Sequence, residues 1–180
     1  AFEYIGATVI LTEDPEVVRR ADKLVLPGVG AFGSGMDGLR QRHLPAAIHE
    51  AVQRGVPFLG ICVGMQLMFS EGHEMGVYQG LDLMAGKVVR FPEKLSIVNG
   101  QWSMVNGQWS MVNGQRPNPQ SAIRNLKIPH MGWNQLEPAW ENPLLAGVAM
   151  GDYAYFVHSY YCDVVEATAV IAWTDYGLQF

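Results

Sequence analysis

Val56-Pro57-Phe58-Leu59-Gly60-Ile61-Cys62-Val63-Gly64-Met65-Gln66-Leu67-Met68-Phe69 is the stretch on which the reading of this chain turns. Its first half is an apolar run of strand length, which in an α/β protein is a buried parallel strand. Its second half, from Met65 to Phe69, holds good helix and core residues with no breaker among them. Between the two, Gly60-Ile61-Cys62-Val63-Gly64 has the form Gly-x-nucleophile-x-Gly, with cysteine in the nucleophile's place. The glycines let the backbone turn sharply at a crowded point. The turn pushes the Cys62 sulfur out at the carboxyl end of the strand. There the next helix N-terminus can activate a thiol and offer N–H groups to an oxyanion. The competing reading is a small buried cysteine between two packing glycines.

Outward from this stretch the pattern alternates. Residues 8–11 read as a short β-rich strand. Asp14-Pro15-Glu16 reads as N-cap, proline in the first turn and an acidic start, opening a helix through Ala21. Lys23-Leu24-Val25-Leu26 is the next strand, followed by the glycine-rich loop Pro27-Gly28-Val29-Gly30-Ala31-Phe32-Gly33-Ser34-Gly35. This loop matches neither the dinucleotide fingerprint nor a P-loop. It reads instead as a source of backbone N–H groups near Cys62. Residues 36–54 read as helix, broken near Pro45, with Ala47, Ile48, Ala51 and Val52 on the inner face. Strands alternating with helices imply a mostly parallel sheet with right-handed crossovers, and sites in such sheets lie at the carboxyl ends of strands. The loop and Cys62 both fall there.

After Leu81 the pattern changes. Lys87-Val88-Val89-Arg90-Phe91 is a strand. Then Val98-Asn99-Gly100-Gln101-Trp102-Ser103-Met104 recurs as residues 105–111 and begins again at Val112. Asn-Gly in each copy forms turns and breaks helices, which excludes a coiled coil despite the seven-residue period. Residues 95–125 therefore read as an inserted surface loop, with a local hairpin as one form it can take. Ile128-Pro129-His130-Met131-Gly132-Trp133-Asn134 reads as an aromatic loop. Residues 153–161 read as a strong strand and residues 167–173 as another, antiparallel to it.

Composition bounds the function. The chain has 180 residues, 49% hydrophobic and 16% charged, so it is globular and of single-domain size. A net charge of -5 without a basic cluster argues against nucleic acid. Two cysteines, Cys62 and Cys162, are too few for a disulfide framework and suit a reducing cytoplasm. No apolar run has membrane-spanning length, no signal peptide is visible and no metal-ligand spacing occurs. Ala1-Phe2-Glu3-Tyr4-Ile5-Gly6 reads as the last turns of a helix stopped by glycine, and both ends read as cut. A nucleophilic cysteine needs a base, usually histidine. Of His43, His49, His73, His130 and His158, the last ranks first as that base, although a hydrogen-bonded strand histidine is the default for its position.

Four segments occur in order: Pro27-Gly28-Val29-Gly30-Ala31-Phe32, Gly60-Ile61-Cys62-Val63-Gly64-Met65-Gln66, Pro129-His130-Met131-Gly132-Trp133-Asn134 and Tyr155-Phe156-Val157-His158-Ser159-Tyr160. Together they resemble the glutaminase subunits of imidazole glycerol phosphate synthase, a family of class I (triad) glutamine amidotransferases in histidine biosynthesis. The resemblance covers nearly the whole chain outside residues 95–125. It implies a flavodoxin-like α/β fold with an antiparallel extension. It implies hydrolysis of glutamine to glutamate and ammonia. It also implies a heterodimer with a TIM-barrel cyclase subunit, which uses the ammonia to make imidazole glycerol phosphate. No cofactor or metal is implied.

By the same resemblance, Cys62 forms a glutamyl thioester, and the N–H groups of Val63 and of Val29 or Gly30 hold the oxyanion. Gln66 and Glu74, with the backbone around Ser159 and Tyr160, bind the glutamine head group. Met131, Trp133 and Asn134 lie toward the cyclase. The family's acid/base pair sits in a His-Pro-Glu segment that these residues do not contain, and its first strand has no counterpart before Ala1. His158 falls in a different family motif and is not the base. The chain as written is therefore expected to be deficient in glutaminase activity by itself. An inactive interaction module of the same fold is the alternative. A class I amidotransferase serving anthranilate or pyridoxal phosphate synthesis is a third reading, opposed by the Pro-His-Met-Gly-Trp-Asn segment.

Overall fold

The computed structural model describes residues 2–96, 104–105, 108–109 and 123–180. It divides into two compact units, Ala1–Lys87 and Val88–Phe180. No helix among the described residues is long and apolar enough to cross a membrane.

In the first unit a single 3-10 turn, Glu3–Ile5, is closed by Gly6 at φ 83°, the glycine stop expected there. Residues 8–11 are irregular rather than a strand, and Val9, Ile10 and Leu11 are exposed. Strand propensity acts through pairing and packing, and no described strand pairs with this segment. Helix α1 (Pro15–Arg19) opens as the sequence predicts: the Asp14 carboxylate accepts the Glu16 N–H at 2.8 Å, and Pro15 spends no helical donor. It closes two residues before Ala21. Strand β1 (Leu24–Gly28) follows, then α2 (Phe32–Gln41), α3 (Leu44–Gln53), β2 (Phe58–Cys62) and α4 (Val63–Gln66). Strands β3 (Phe69–Gly72) and β4 (Tyr78–Gln79) form an antiparallel pair, and β5 (Met84–Arg90) leads into the second unit.

The helix expected over residues 36–54 is two helices. His43 at φ 57° makes the break, and Pro45 sits in the first turn of α3, where its missing N–H costs nothing. Ala47, Ile48 and Ala51 of α3 are buried, as the spacing predicts. At its other end α2 starts four residues earlier than expected, so Gly33 and Gly35 are helical. A Cβ on Gly33 would lie 2.8 Å from the Tyr78 ring, and one on Gly35 would lie 3.0 Å from Leu67. These glycines admit close neighbours rather than loop flexibility. The glycine loop shrinks to Val29, Gly30 and Ala31 between β1 and α2.

Strands β1 and β2 are parallel, in register from Leu24↔Phe58 to Gly28↔Cys62. The turn out of β2 crosses this pair at very short range. A Cβ on Gly64 would sit 1.8 Å from the Leu26 carbonyl oxygen, one on Gly60 2.5 Å from the Met65 Cα, and one on Gly28 2.8 Å from the Gly64 nitrogen. Only glycine fits at all three places. The helix that follows is one turn, not the run through Phe69 that the sequence suggested. The Leu67 carbonyl accepts from Leu81 at 2.7 Å and the Met68 carbonyl accepts from Leu83 at 2.8 Å, so the returning chain takes the bonds a longer helix would have used. Leu67 and Phe69 are buried either way, and a short apolar run does not distinguish helix from strand.

The second unit is built from antiparallel pairs. Strand β6 (Lys94–Ser96) pairs with β9 (Ile123–Asn125), and β7 (Met104–Val105) pairs with β8 (Gln108–Trp109). The latter fits a local hairpin within the repeat, and β6 and β9 pair the two ends of the expected 95–125 insertion; residues 97–103, 106–107 and 110–122 lie outside the described residues. Strand β10 (His130–Gln135) pairs with β12 (Tyr153–His158), and β11 (Glu137–Pro138) with β14 (Ala172–Trp173). Strand β13 (Tyr160–Val164) follows β12 after a break at Ser159. Three expectations change here. His130 opens a strand rather than lying in a loop. Residues 153–161 form two strands. Residues 167–173 form a 3-10 turn and a two-residue strand that pairs with β11, whose Pro138 and neighbouring Ala139 receive it.

Phe91 is the centre of this unit's core, 2% exposed and packed with Tyr161 and Leu178. Its ring meets His158 edge-on at 5.1 Å and Phe180 at 5.2 Å. His130, buried, stacks on Tyr176 at 3.8 Å. The two imidazoles bond to each other, His130 Nδ1 to His158 Nε2 at 3.1 Å, while His158 Nδ1 lies 2.9 Å from the Tyr160 carbonyl. A carbonyl only accepts, so His158 Nδ1 carries its proton and Nε2 is the acceptor for His130 Nδ1–H. Burial favours the neutral form of both rings. Burial, reinforced by the His158 ring, holds His130 down to about 4, and burial lowers His158 despite the Tyr160 carbonyl.

Two outcomes are expected from this packing. Gly64→Ala must move backbone rather than a side chain, and should lower stability by about 3 kcal/mol or more in urea unfolding. Gly55→Ala meets only a left-handed φ of 82° in open space, and should cost about 1 kcal/mol. Acid should also destabilise the protein. An unfolded histidine takes its proton near pH 6.5 and the folded His130 only near 4, so this contribution is full above about 6.5 and is lost as pH falls to about 4. The fall is worth roughly 3 kcal/mol, and the unfolding midpoint of His130→Phe should change less over that range than that of the natural protein.

Candidate active site

Cys62 is the last residue of β2 and adopts φ 55°, ψ -121°. This lies outside the regions open to an L-residue at low cost and stores on the order of 1–3 kcal/mol. The glycine contacts with Leu26 and Met65 hold it there. The side chain is exposed, at the carboxyl end of the parallel pair. Gly28 stands beside it in register, and Val29 and Gly30 follow at once, Val29 almost fully exposed and Gly30 at φ 98°. Val63 is buried; its N–H is the first of α4 and has no partner within the helix. Cys62, Val63 and the Val29–Gly30 turn thus lie on two adjacent strand ends. A thiol so placed can attack an electrophilic carbon beside fixed N–H donors. One helical turn carries little dipole, so what distinguishes this position is the backbone geometry of the elbow.

Glu74 reaches back to this end of the sheet. Its Oε2 accepts the Phe32 N–H at 2.7 Å, tying the segment after α4 to the start of α2. Its other carboxylate oxygen bonds to no described residue. Gln66, half-buried, closes α4. His73 bonds to Glu71 at 2.9 Å. The Glu74–Phe32 bond was not legible in the sequence, because it spans 42 residues and ends on a backbone amide.

His158, ranked first among the histidines on sequence alone, is not placed as a base: both ring nitrogens are committed, one to His130 and one to Tyr160. Ser159 and Tyr160 lie in the second unit at the junction of β12 and β13, both half-buried, and the Ser159 carbonyl accepts the Phe91 N–H at 3.0 Å. Cys162 is the other thiol. Burial pushes it up to about 12, which makes it inert. Among the described residues no cluster could hold a metal ion.

The β10–β12 ribbon presents an exposed apolar face. Alternation turns His130, Phe156 and His158 toward the core and leaves Met131 (58%) and Trp133 (69%) exposed. Their register partners Val157 and Tyr155 are exposed as well, and the Trp133 and Tyr155 rings meet edge-on at 5.6 Å. Asn134 is turned into its own unit, its amide donating to the Asp175 carbonyl at 2.7 Å, so it shapes the segment rather than facing outward. Tyr153, Tyr155 and Val157 join this exposed face, although the sequence does not single them out. Their signal is the every-second-residue spacing in Tyr153–His158.

Residues 7–179 match the family described as glutamine amidotransferase class-I. The imidazole glycerol phosphate synthase subunit HisH of Salinibacter ruber is 42% identical over 180 residues, covering all of this chain and 72% of that protein. The HisH subunit of Syntrophotalea carbinolica is 42% identical, covering 99% of this chain and 75% of its own length. That of Bacillus subtilis is 41% identical, with 99% and 72% covered. With an exposed cysteine elbow at the sheet edge and this extent of identity, the chain belongs to the class-I glutamine amidotransferases, among the HisH subunits of imidazole glycerol phosphate synthase.

Proposed function

We propose that Cys62 is the nucleophile with which this chain hydrolyses glutamine, supplying ammonia in histidine biosynthesis. The observation that carries the assignment is the exposed sulfur on a strained elbow, beside the Val29–Gly30 turn. The sulfur attacks the carboxamide carbon of glutamine. The oxyanion that forms is held by the N–H of Val63 and by that of Val29 or Gly30. As the carbon–nitrogen bond breaks, ammonia leaves with a proton and a glutamyl thioester remains on Cys62. Water then adds to the thioester, and glutamate and the thiol are released. Gln66 and the second carboxylate oxygen of Glu74 take the amino-acid head group. The intact elbow supports chemistry over an inactive interaction module. The proton relay needs a base, and the family resemblance gives that task to a His-Pro-Glu segment not among these residues.

The relatives are named as subunits of a synthase, and the exposed face of Met131, Trp133, Tyr155 and Val157 is the surface we assign to the partner, a cyclase subunit of TIM-barrel form. Aromatic residues and methionine are enriched at such interfaces. The two unpaired cysteines suit a cytoplasmic setting.

In the synthase complex, a diazoketone analogue of glutamine should add its mass to Cys62, and Cys62→Ala should abolish that labelling while leaving the melting temperature nearly unchanged. Labelling of Cys162 instead would overturn the assignment. Trp133→Ala should weaken partner binding by about tenfold or more while leaving the melting temperature nearly unchanged, since an exposed side chain supports interface rather than core. Unchanged partner affinity would remove the interface role.

A further inference from the structure

Among the described residues, the face just described stands on a ribbon of two strands, β10 and β12. A lone antiparallel pair is marginal in water, and here its outward side chains are apolar. Gly132, at φ 147°, sits between the two outward residues Met131 and Trp133, with nothing within 4 Å of where its Cβ would be. At that position the strand pairing with Phe156 acts without any side-chain packing to keep Met131 and Trp133 in line. What fixes the ribbon lies on its other side. His130 is the first residue of β10 and His158 the last of β12, and they are register partners. Their imidazoles join the two strands at this end, and His158 Nδ1–H continues the chain to the Tyr160 carbonyl, where β13 begins. Phe156, Tyr176 and Phe91 enclose the pair. Tyr176 is itself held, its hydroxyl donating to the Lys127 carbonyl at 2.8 Å. Among the described residues neither imidazole makes an ion pair.

We propose that the His130–His158 couple is a positioning clasp for the partner-binding face: the donor on His130 Nδ1 locks β10 to β12, and the alignment of Met131 and Trp133 with Val157 and Tyr155 depends on that bond. This rests on the assignment of the face to the partner subunit. The clasp acts through the ribbon and does not touch the partner. Its contribution is preorganisation, since a face already ordered loses less entropy on docking.

The donor can be separated from the ring. His130→Phe keeps an aromatic ring between Tyr176 and Phe156 but has no donor. His130→Asn loses the ring and keeps an N–H donor close to the position of Nδ1. Partner affinity is measured by titrating each variant with the cyclase subunit, alongside melting temperature and with Trp133→Ala as reference. The expected result is about tenfold weaker binding for His130→Phe and binding within about twofold of the natural protein for His130→Asn. Natural affinity in His130→Phe, with Trp133→Ala weakened, overturns the clasp alone. Natural affinity in Trp133→Ala overturns the assignment of the face itself. Should His130→Phe fail to fold, His130→Leu, which also lacks the donor, takes its place: tenfold weakening beside natural affinity in His130→Asn supports the clasp, and natural affinity in His130→Leu overturns it.

Discussion

The close crossing of Gly64 over the Leu26 carbonyl is the contact on which the first unit depends. There is no room for a Cβ between them, so strand β1 and the start of α4 meet backbone to backbone. That approach fixes where the chain leaves β2, and therefore where Cys62 stands. The cysteine's unfavourable dihedrals follow from the same contact. A residue with φ 55° and ψ -121° relaxes unless its neighbours prevent it, and Gly60 against Met65 and Gly64 against Leu26 prevent it from both sides. The strain is the means by which a residue at the end of an otherwise ordinary strand is made to present its sulfur.

The second unit solves a different problem with a polar device. An apolar outward face gives a two-stranded ribbon no stability of its own. The inward face must hold it, and two imidazoles sit there where hydrophobes would be the simpler choice. Buried and unpaired, each would cost roughly 1–3 kcal/mol. Bonded to each other and to the Tyr160 carbonyl they are satisfied, and they add what hydrophobes lack, a direction. Neutrality is required: two protonated rings at 3.1 Å would repel, and neither would have an acceptor in the other.

What the sequence disclosed follows the range of the forces involved. The elbow was legible because its glycines, cysteine and preceding apolar run are adjacent, and a local pattern suffices to demand a local turn. The Asp14 cap and the Gly6 stop were legible for the same reason. Gly33 and Gly35 were misread as loop because their purpose is set by Tyr78 and Leu67, far along the chain. The length of α4 was misread because Leu81 and Leu83 return to take the carbonyls of Leu67 and Met68. Residues 8–11 have the composition of a strand and no neighbour to make them one. The histidine pair lay hidden in plain view. Both residues were noted, but nothing local says that residues 28 apart in sequence share a proton.

The two thiols show why residue type alone does not locate chemistry. Cys162 lies within strand β13, and burial without a compensating charge raises its thiol to about 12. Cys62 lies at a strand end, exposed, with glycine turns on either side. The difference is made by backbone geometry. A cysteine in the middle of a strand must share its surroundings with neighbouring strands, which shield it. At the carboxyl end of a parallel pair the neighbouring strand ends too, and the turns that leave both strands can bring amide hydrogens to the same place. Attack on a carboxamide needs a reachable sulfur and donors fixed before the oxyanion forms. In the first unit we assign that requirement to Cys62, Val63 and the Val29–Gly30 turn, an assignment that uses backbone donors alone and leaves the surrounding side chains to select the substrate.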